Sequence, residues 1–326
     1  MKILKNILLI TALILAIPHF AQSQKTKSFL TPYSNLKPLA NMDELEYPFQ
    51  VRKITLDSGP EIAFADEGES ENVIIFIHGL GSYLPAWKKN IEELKSDFRC
   101  IAIDLPGYGK SSKQPHSGKM TYYASVVKEF AEKLGLKQVT LAGHSMGGQI
   151  SMIAALNYPE LVKSIILVAP AGFEKFTEGQ KQWFRNVMTL DGVKNTLAED
   201  IQTNLAVNFY NMPDDAEFMI TDRIAMRKAD DFEHYCYAVV QSVNGMVDEP
   251  VLELLPKIKQ PTLIIFGEND NLIPNRFLNP GRTKKIADIG KSKIPDSQLF
   301  MVKKAGHFVQ FEKALEVNMA IKEFLR

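Results

Sequence analysis

One serine is flanked by glycines two positions away on either side, in Gly143-His144-Ser145-Met146-Gly147. The apolar run VTLA precedes it and a stretch of helical spacing begins near Met146, so the sequence predicts a sharp strand-to-helix turn. Such a turn exposes the Ser145 hydroxyl, and the glycines remove side chains that would clash. It also aims the NH of Met146, at a helix start, toward an oxygen that becomes negative during acyl transfer. A serine hydroxyl is a weak nucleophile at neutral pH. It needs a histidine to accept its proton and a carboxylate to orient that histidine.

Six histidines compete for the first role. His19 falls in the N-terminal apolar segment, His116 in a polar loop and His234 in a helical stretch. His144 adjoins the serine, where neighbouring side chains diverge, and is expected to pack behind the turn. His78 follows the run VIIFI and is expected to shape the next loop. His307, in Ala305-Gly306-His307-Phe308 just after QLFMV, is left as the base. For the acid, TLIIF is followed by Gly267-Glu268-Asn269-Asp270. Asp270 is favoured, Glu268 is read as structural, and Asp248 is the backup. A second oxyanion donor is expected from His78-Gly79-Leu80-Gly81, where glycines let the Leu80 NH approach a substrate closely. No His/Cys/Asp cluster has ligand spacing, so neither metal nor organic cofactor is expected.

These residues need a frame in which strand ends meet. VRKITL and IAFAD predict an antiparallel pair around Ser58-Gly59-Pro60. VIIFI, CIAID, VTLAG, SIILV, TLIIF and QLFMV then read as strands buried on both faces, separated by helical stretches such as Tyr122 to Leu134 and Gln149 to Leu156. The pattern predicts an α/β fold with an open, mostly parallel, doubly wound sheet and ligands at the carboxyl ends of its strands. Residues 51–172 and 251–326 would form that core. Residues 173–250 carry helical patterns without a strand and read as an inserted helical cap over that edge. Its aromatic side chains would favour an apolar acyl or aryl group in the substrate.

Residues 1–22 have signal-peptide anatomy, with Lys2 and Lys5, an apolar run from Ile7 to Ile17 and small residues near Ala21. Export to the periplasm or beyond is the expectation, and the run is too short for a stable membrane span once the signal is cleaved. Residues 23–50 read as an extension lying on the surface. Lys plus Arg number 38 and so do Asp plus Glu, so no global field would draw the chain to nucleic acid or anionic lipid. A neutral or weakly charged small-molecule partner fits best. Cys100 and Cys236 are read as small core residues and not as a bridge.

Taken together, HGLG, DLPGYGKS (Asp104 to Ser111), GHSMGG, GEND and AGHF resemble the α/β-hydrolase superfamily, over nearly everything after Val51. The resemblance implies an eight-stranded sheet and the chain order Ser145, Asp270, His307 for the triad. It also implies structural roles for Asp104 and Gly107, and hydrolysis of carboxylic esters by a serine esterase or lipase-like enzyme. Thioester, amide and carbon–carbon substrates are the enzymatic alternatives. The ring-fission enzymes share the SMGG turn but carry Trp where Phe308 stands, and aminopeptidase relatives carry Trp where Met146 stands. A non-catalytic binding protein on the same fold is the rival of a different class.

Overall fold

A computed structural model describes residues 33–326. The export signal expected over residues 1–22 lies outside the described residues, as does the start of the extension that follows it. Eight strands form one sheet: β1 (Arg52–Thr55), β2 (Glu61–Glu67), β3 (Val73–Ile77), β4 (Arg99–Ile103), β5 (Val139–His144), β6 (Val162–Val168), β7 (Thr262–Gly267) and β8 (Ser297–Val302). Their spatial order is β1-β2-β4-β3-β5-β6-β7-β8. β1 pairs antiparallel with β2, and β2 with β4; every pairing from β4 through β3 to β8 is parallel.

The apolar runs belong in the middle of this sheet because both of their faces are covered. Side chains alternate across a strand, and here each face feeds its own core. Ile75, Ile77, Ile101, Ile103, Leu141 and Ile165 lie on one face. Ile74, Phe76, Cys100, Ala102, Ala142 and Ile166 lie on the other. Helices α2 (Met120–Lys133) and α3 (Met146–Asn157) cover the first face, and α1 (Lys88–Leu94) the second. Cys100 and Cys236 are buried free thiols. A one-residue slip in any central strand would exchange the two sets, so the register is strongly specified.

Between β6 and β7 the chain leaves the sheet for five helices: α4 (Glu178–Val187), α5 (Leu190–Lys194), α6 (Ala198–Ala206), α7 (Glu217–Ala225) and α8 (Phe232–Asp248). After β7 come α9 (Thr283–Lys293), β8, α10 (Val309–Glu312) and α11 (Ala314–Phe324). α9 joins the first face and α11 the second. Phe173 packs against Phe266 of β7 and would collide with a side chain at Gly290, so it belongs to the sheet side of the insertion.

Most of the described part of the extension is exposed, as expected of a segment on the surface, but it is pinned at a few points. Met42 is fully buried and Leu45 nearly so. The Leu39 NH donates to the Ala225 carbonyl, and the Met42 NH to the Asp231 carboxylate. Tyr47 donates to Asp104 at 2.6 Å. Short irregular segments anchored by single apolar side chains have no period to read, which is why their burial is invisible in sequence.

Candidate active site

The Ser145 turn is built as its glycines require. Ser145 sits at φ 54°, a left-handed conformation that costs a non-glycine residue energy and is held by its surroundings. Its NH donates to the Val168 carbonyl at 2.9 Å, and its carbonyl accepts from Gly148 and Ala171. A Cβ on Gly143 would lie 2.2 Å from the Gly147 carbonyl oxygen, and one on Gly147 would lie 2.3 Å from that of Ile77. Met146 is the first residue of α3, so its NH is among those with no acceptor inside the helix.

The loop after β3 lies directly against this turn. A Cβ on Gly79 would be 3.1 Å from Ser145 Cβ and 3.0 Å from His144 Nδ1. Leu80 lines the same cavity as Ser145. His78 is buried; its Nε2 accepts from the Leu105 NH at 3.0 Å and its Nδ1 donates to the Gly79 carbonyl at 2.8 Å. That fixes the start of the loop, the shaping role expected of His78.

His307 and Asp270 meet at the edge formed by β7 and β8. His307 Nδ1 is 2.8 Å from Asp270 Oδ2, with both side chains buried. Asp270 Oδ1 accepts from the Leu272 NH at 2.8 Å and the Ile273 NH at 3.0 Å, so the carboxylate cannot rotate away. Asp248 is instead an exposed partner of Arg185, far from this role. Glu268 continues the strand pairing through its NH to the Val302 carbonyl and is exposed, in keeping with a structural part.

Ser145 and His307 face one cavity. Among the described residues no hydrogen bond runs from Ser145 Oγ to the imidazole. What ties the two loops together is His144, whose Nε2 donates to the His307 carbonyl at 3.1 Å. Burial first, then the nearby His307, holds the His144 pKa well below the ordinary value, so its ring is a neutral strut.

Two features here had no signal in the sequence. Glu312 of α10 accepts from the NH groups of Gly306, Tyr210 and Asn211, clamping the His307 loop onto the insertion. A Cβ on Gly306 would be 2.5 Å from the Asn208 carbonyl oxygen, so the approach requires glycine there. Arg223 of α7 lies 4.3 Å over the Tyr235 ring, lines the cavity and pairs with no carboxylate among the described residues.

The cavity measures about 1650 Å³ and is walled mainly by apolar side chains of the insertion. Of the aromatic and methionine side chains there, Phe176, Phe184, Met188, Met219, Met226, Tyr235 and Met246 line it. Phe218 packs on Phe311 and Phe232 stacks on Tyr235.

Comparison with known proteins agrees with this architecture. The family model for the alpha/beta hydrolase fold matches residues 72–314. A Pseudomonas 2-hydroxy-6-oxononadienedioate/2-hydroxy-6-oxononatrienedioate hydrolase is 26% identical over 80% of this chain and 90% of its own. An esterase from Thermogutta terrifontis is 26% identical, with a TM-score of 0.68 over 85% of this chain and 98% of that one. A "probable hydrolytic enzyme" from Pseudomonas aeruginosa PAO1 has a TM-score of 0.78 and 23% identity, over 89% of this chain and 99% of that one. With its mostly parallel eight-stranded sheet and the matched model spanning most of its length, the chain belongs to the alpha/beta hydrolase fold family.

Proposed function

We propose that the protein hydrolyses carboxylic esters with apolar acyl or aryl groups through an acyl-enzyme on Ser145. The observation that carries this is the buried His307–Asp270 bond at 2.8 Å on the same cavity as Ser145. An Nδ1–H donated to a carboxylate leaves Nε2 free to accept a proton. Ser145 Oγ attacks the carbonyl carbon while Nε2 takes its proton, and the Asp270 carboxylate stabilises the imidazolium. The Leu80 and Met146 NH groups receive the negative oxygen. The imidazolium then protonates the departing alcohol. Water, deprotonated by the same nitrogen, attacks the acyl-enzyme and releases the acid and the serine.

The size and apolar walls of the cavity support a bulky hydrophobic substrate. No metal is needed for these steps. By the same reading the protein acts outside the cytoplasm, after loss of residues 1–22.

A second reading keeps the triad and cleaves a carbon–carbon bond in a substrate carrying a carboxylate. Arg223, a cavity guanidinium without a carboxylate partner among the described residues, favours it. The Pseudomonas relative is named as a hydrolase of a dioate, a substrate with such groups.

The test is a panel of nitrophenyl esters from two to sixteen carbons, run beside acyl thioesters, aminoacyl amides and a vinylogous diketo acid. Ester turnover that is lost in Ser145→Ala is the result expected. Silence on every ester, with turnover of the diketo acid, would replace the first reading by the second.

A further inference from the structure

The loop that carries Leu80 is held from above as well as from below. Tyr235, on α8 of the insertion, donates its hydroxyl to the Gly81 carbonyl at 3.0 Å. Two residues on, Tyr83 donates to Asp222 Oδ2 of α7 at 2.6 Å. Gly81 itself stands at φ +67°, and a Cβ there would lie 3.2 Å from the Tyr235 hydroxyl. The stretch between the Gly79 turn and Tyr83 therefore has few other restraints: the Ser82 NH bonds back to the Gly79 carbonyl, and the Leu84 NH reaches Asp104.

Tyr235 is rigidly set for this contact. It is buried, edge-on to Tyr108 at 5.7 Å between ring centroids and stacked on Phe232 at 5.9 Å, with Arg223 over its face. Although Tyr235 borders the cavity, it is only 2% exposed, so water is a poor alternative partner for its hydroxyl. An unmet buried hydroxyl costs about 1–3 kcal/mol, so the pairing with Gly81 is enforced. Both tyrosine bonds join the insertion to the loop: one holds the Gly81–Ser82 peptide, one residue past Leu80, and the other anchors the side chain of Tyr83.

We infer that Tyr235 is a positioning residue for the Leu80 oxyanion donor, so that the helical insertion sets the geometry of that hole as well as roofing the cavity. The inference rests on the acyl-transfer reading of Ser145. Without the Tyr235 bond, the Gly81–Ser82 peptide is free to turn about the permissive Gly81, and the shift passes back along the chain to the Leu80 NH. A displacement of a fraction of an ångström weakens a bond formed only in the transition state, leaving ground-state binding almost unchanged.

The test compares Tyr235→Phe with the wild-type protein on a nitrophenyl ester. The variant keeps the ring and loses one oxygen. It is expected to lower kcat roughly tenfold, less than the 10²–10³ for losing a donor outright, with KM within about twofold. A trifluoromethyl ketone, whose adduct on serine places an anionic oxygen in the hole, should lose affinity by the same factor. The matching ether, which forms no adduct, should bind as before. Tyr83→Phe, which cuts the other bond, is expected to act in the same direction and serves if Tyr235→Phe fails to fold. Wild-type kcat and ketone affinity in both variants would overturn the inference, as would an equal loss of ether binding. A fluorophosphonate distinguishes the two levels. Labelled Ser145 with unchanged variants defeats this inference alone, whereas unlabelled Ser145 in the wild type defeats the acyl-transfer reading beneath it.

Discussion

Asp270 Oδ2 accepts the Nδ1 proton of His307 at 2.8 Å, and its other oxygen is occupied by the NH groups of Leu272 and Ile273. With both side chains buried, the imidazole has one orientation and one neutral tautomer. Asp270→Asn preserves the shape but offers an amide that can turn its NH₂ toward Nδ1, moving the ring proton to the nitrogen meant for Ser145. The expected outcome is a fall in kcat of about 10³–10⁴ with little change in melting temperature, read from ester kinetics and circular dichroism. Asp248→Asn, at the exposed partner of Arg185, should change neither by a measurable amount.

Gly79 faces the turn so closely that a methyl group there would sit 3.1 Å from Ser145 Cβ and 3.0 Å from His144 Nδ1. Gly79→Ala must push the loop and the turn apart. If Ser145 is the nucleophile and Leu80 the oxyanion donor, as proposed, both shift, and kcat should fall by roughly 10²-fold, a loss of the size that a misplacement near 1 Å produces. Gly135→Ala provides a contrast, since a Cβ there meets nothing within 4 Å, although its φ of +69° adds strain. It should lower stability by about 1 kcal/mol and leave kcat as it was.

How much of this was legible in the residue order follows from what each position depends on. Ser145, Asp270 and His307 each stand one short turn beyond an apolar run, so the runs locate them before any coordinates do. The alternation of Ile74, Ile75, Phe76 and Ile77 between two cores could be read as burial on both sides. Contacts between segments far apart in the chain could not. Tyr235 meets Gly81 across 154 positions, and Glu312 meets Tyr210 across 102. Neither leaves a periodic or local mark. Met42 was missed for a related reason: one buried side chain in an irregular segment has no pattern around it.

His116 is stacked on Tyr122, and burial pulls its pKa down to about 4. His78 and His144 are shifted the same way by burial. A histidine whose folded pKa lies below its unfolded value of about 6.5 binds more protons when unfolded. Its stabilisation is full above that value and is lost as pH falls toward the folded pKa. Unfolding at pH 5 should therefore take up protons, and the melting temperature should drop between pH 7 and 4.5. His116→Gln should reduce the uptake at pH 5 by about one proton, measured by calorimetry in buffers of different ionisation enthalpy.

Arg223 separates the two substrate readings. On a neutral nitrophenyl ester Arg223→Gln should leave KM within about threefold, because no charge is being recognised. On a substrate with a free carboxylate it should raise KM by roughly 10- to 100-fold, the value of a charge-assisted hydrogen bond. A large effect on the neutral ester alone would assign Arg223 to the support of Tyr235, over whose ring it lies.

The central claim is a serine nucleophile at position 145, and covalent labelling tests it most directly. After exposure to a fluorophosphonate, intact-mass and peptide mapping should find one adduct, on the peptide containing Gly143-His144-Ser145-Met146. It should be absent in Ser145→Ala and formed far more slowly in His307→Ala. An unmodified Ser145 in the folded wild-type protein, or an adduct that persists when Ser145 is replaced, would contradict the claim.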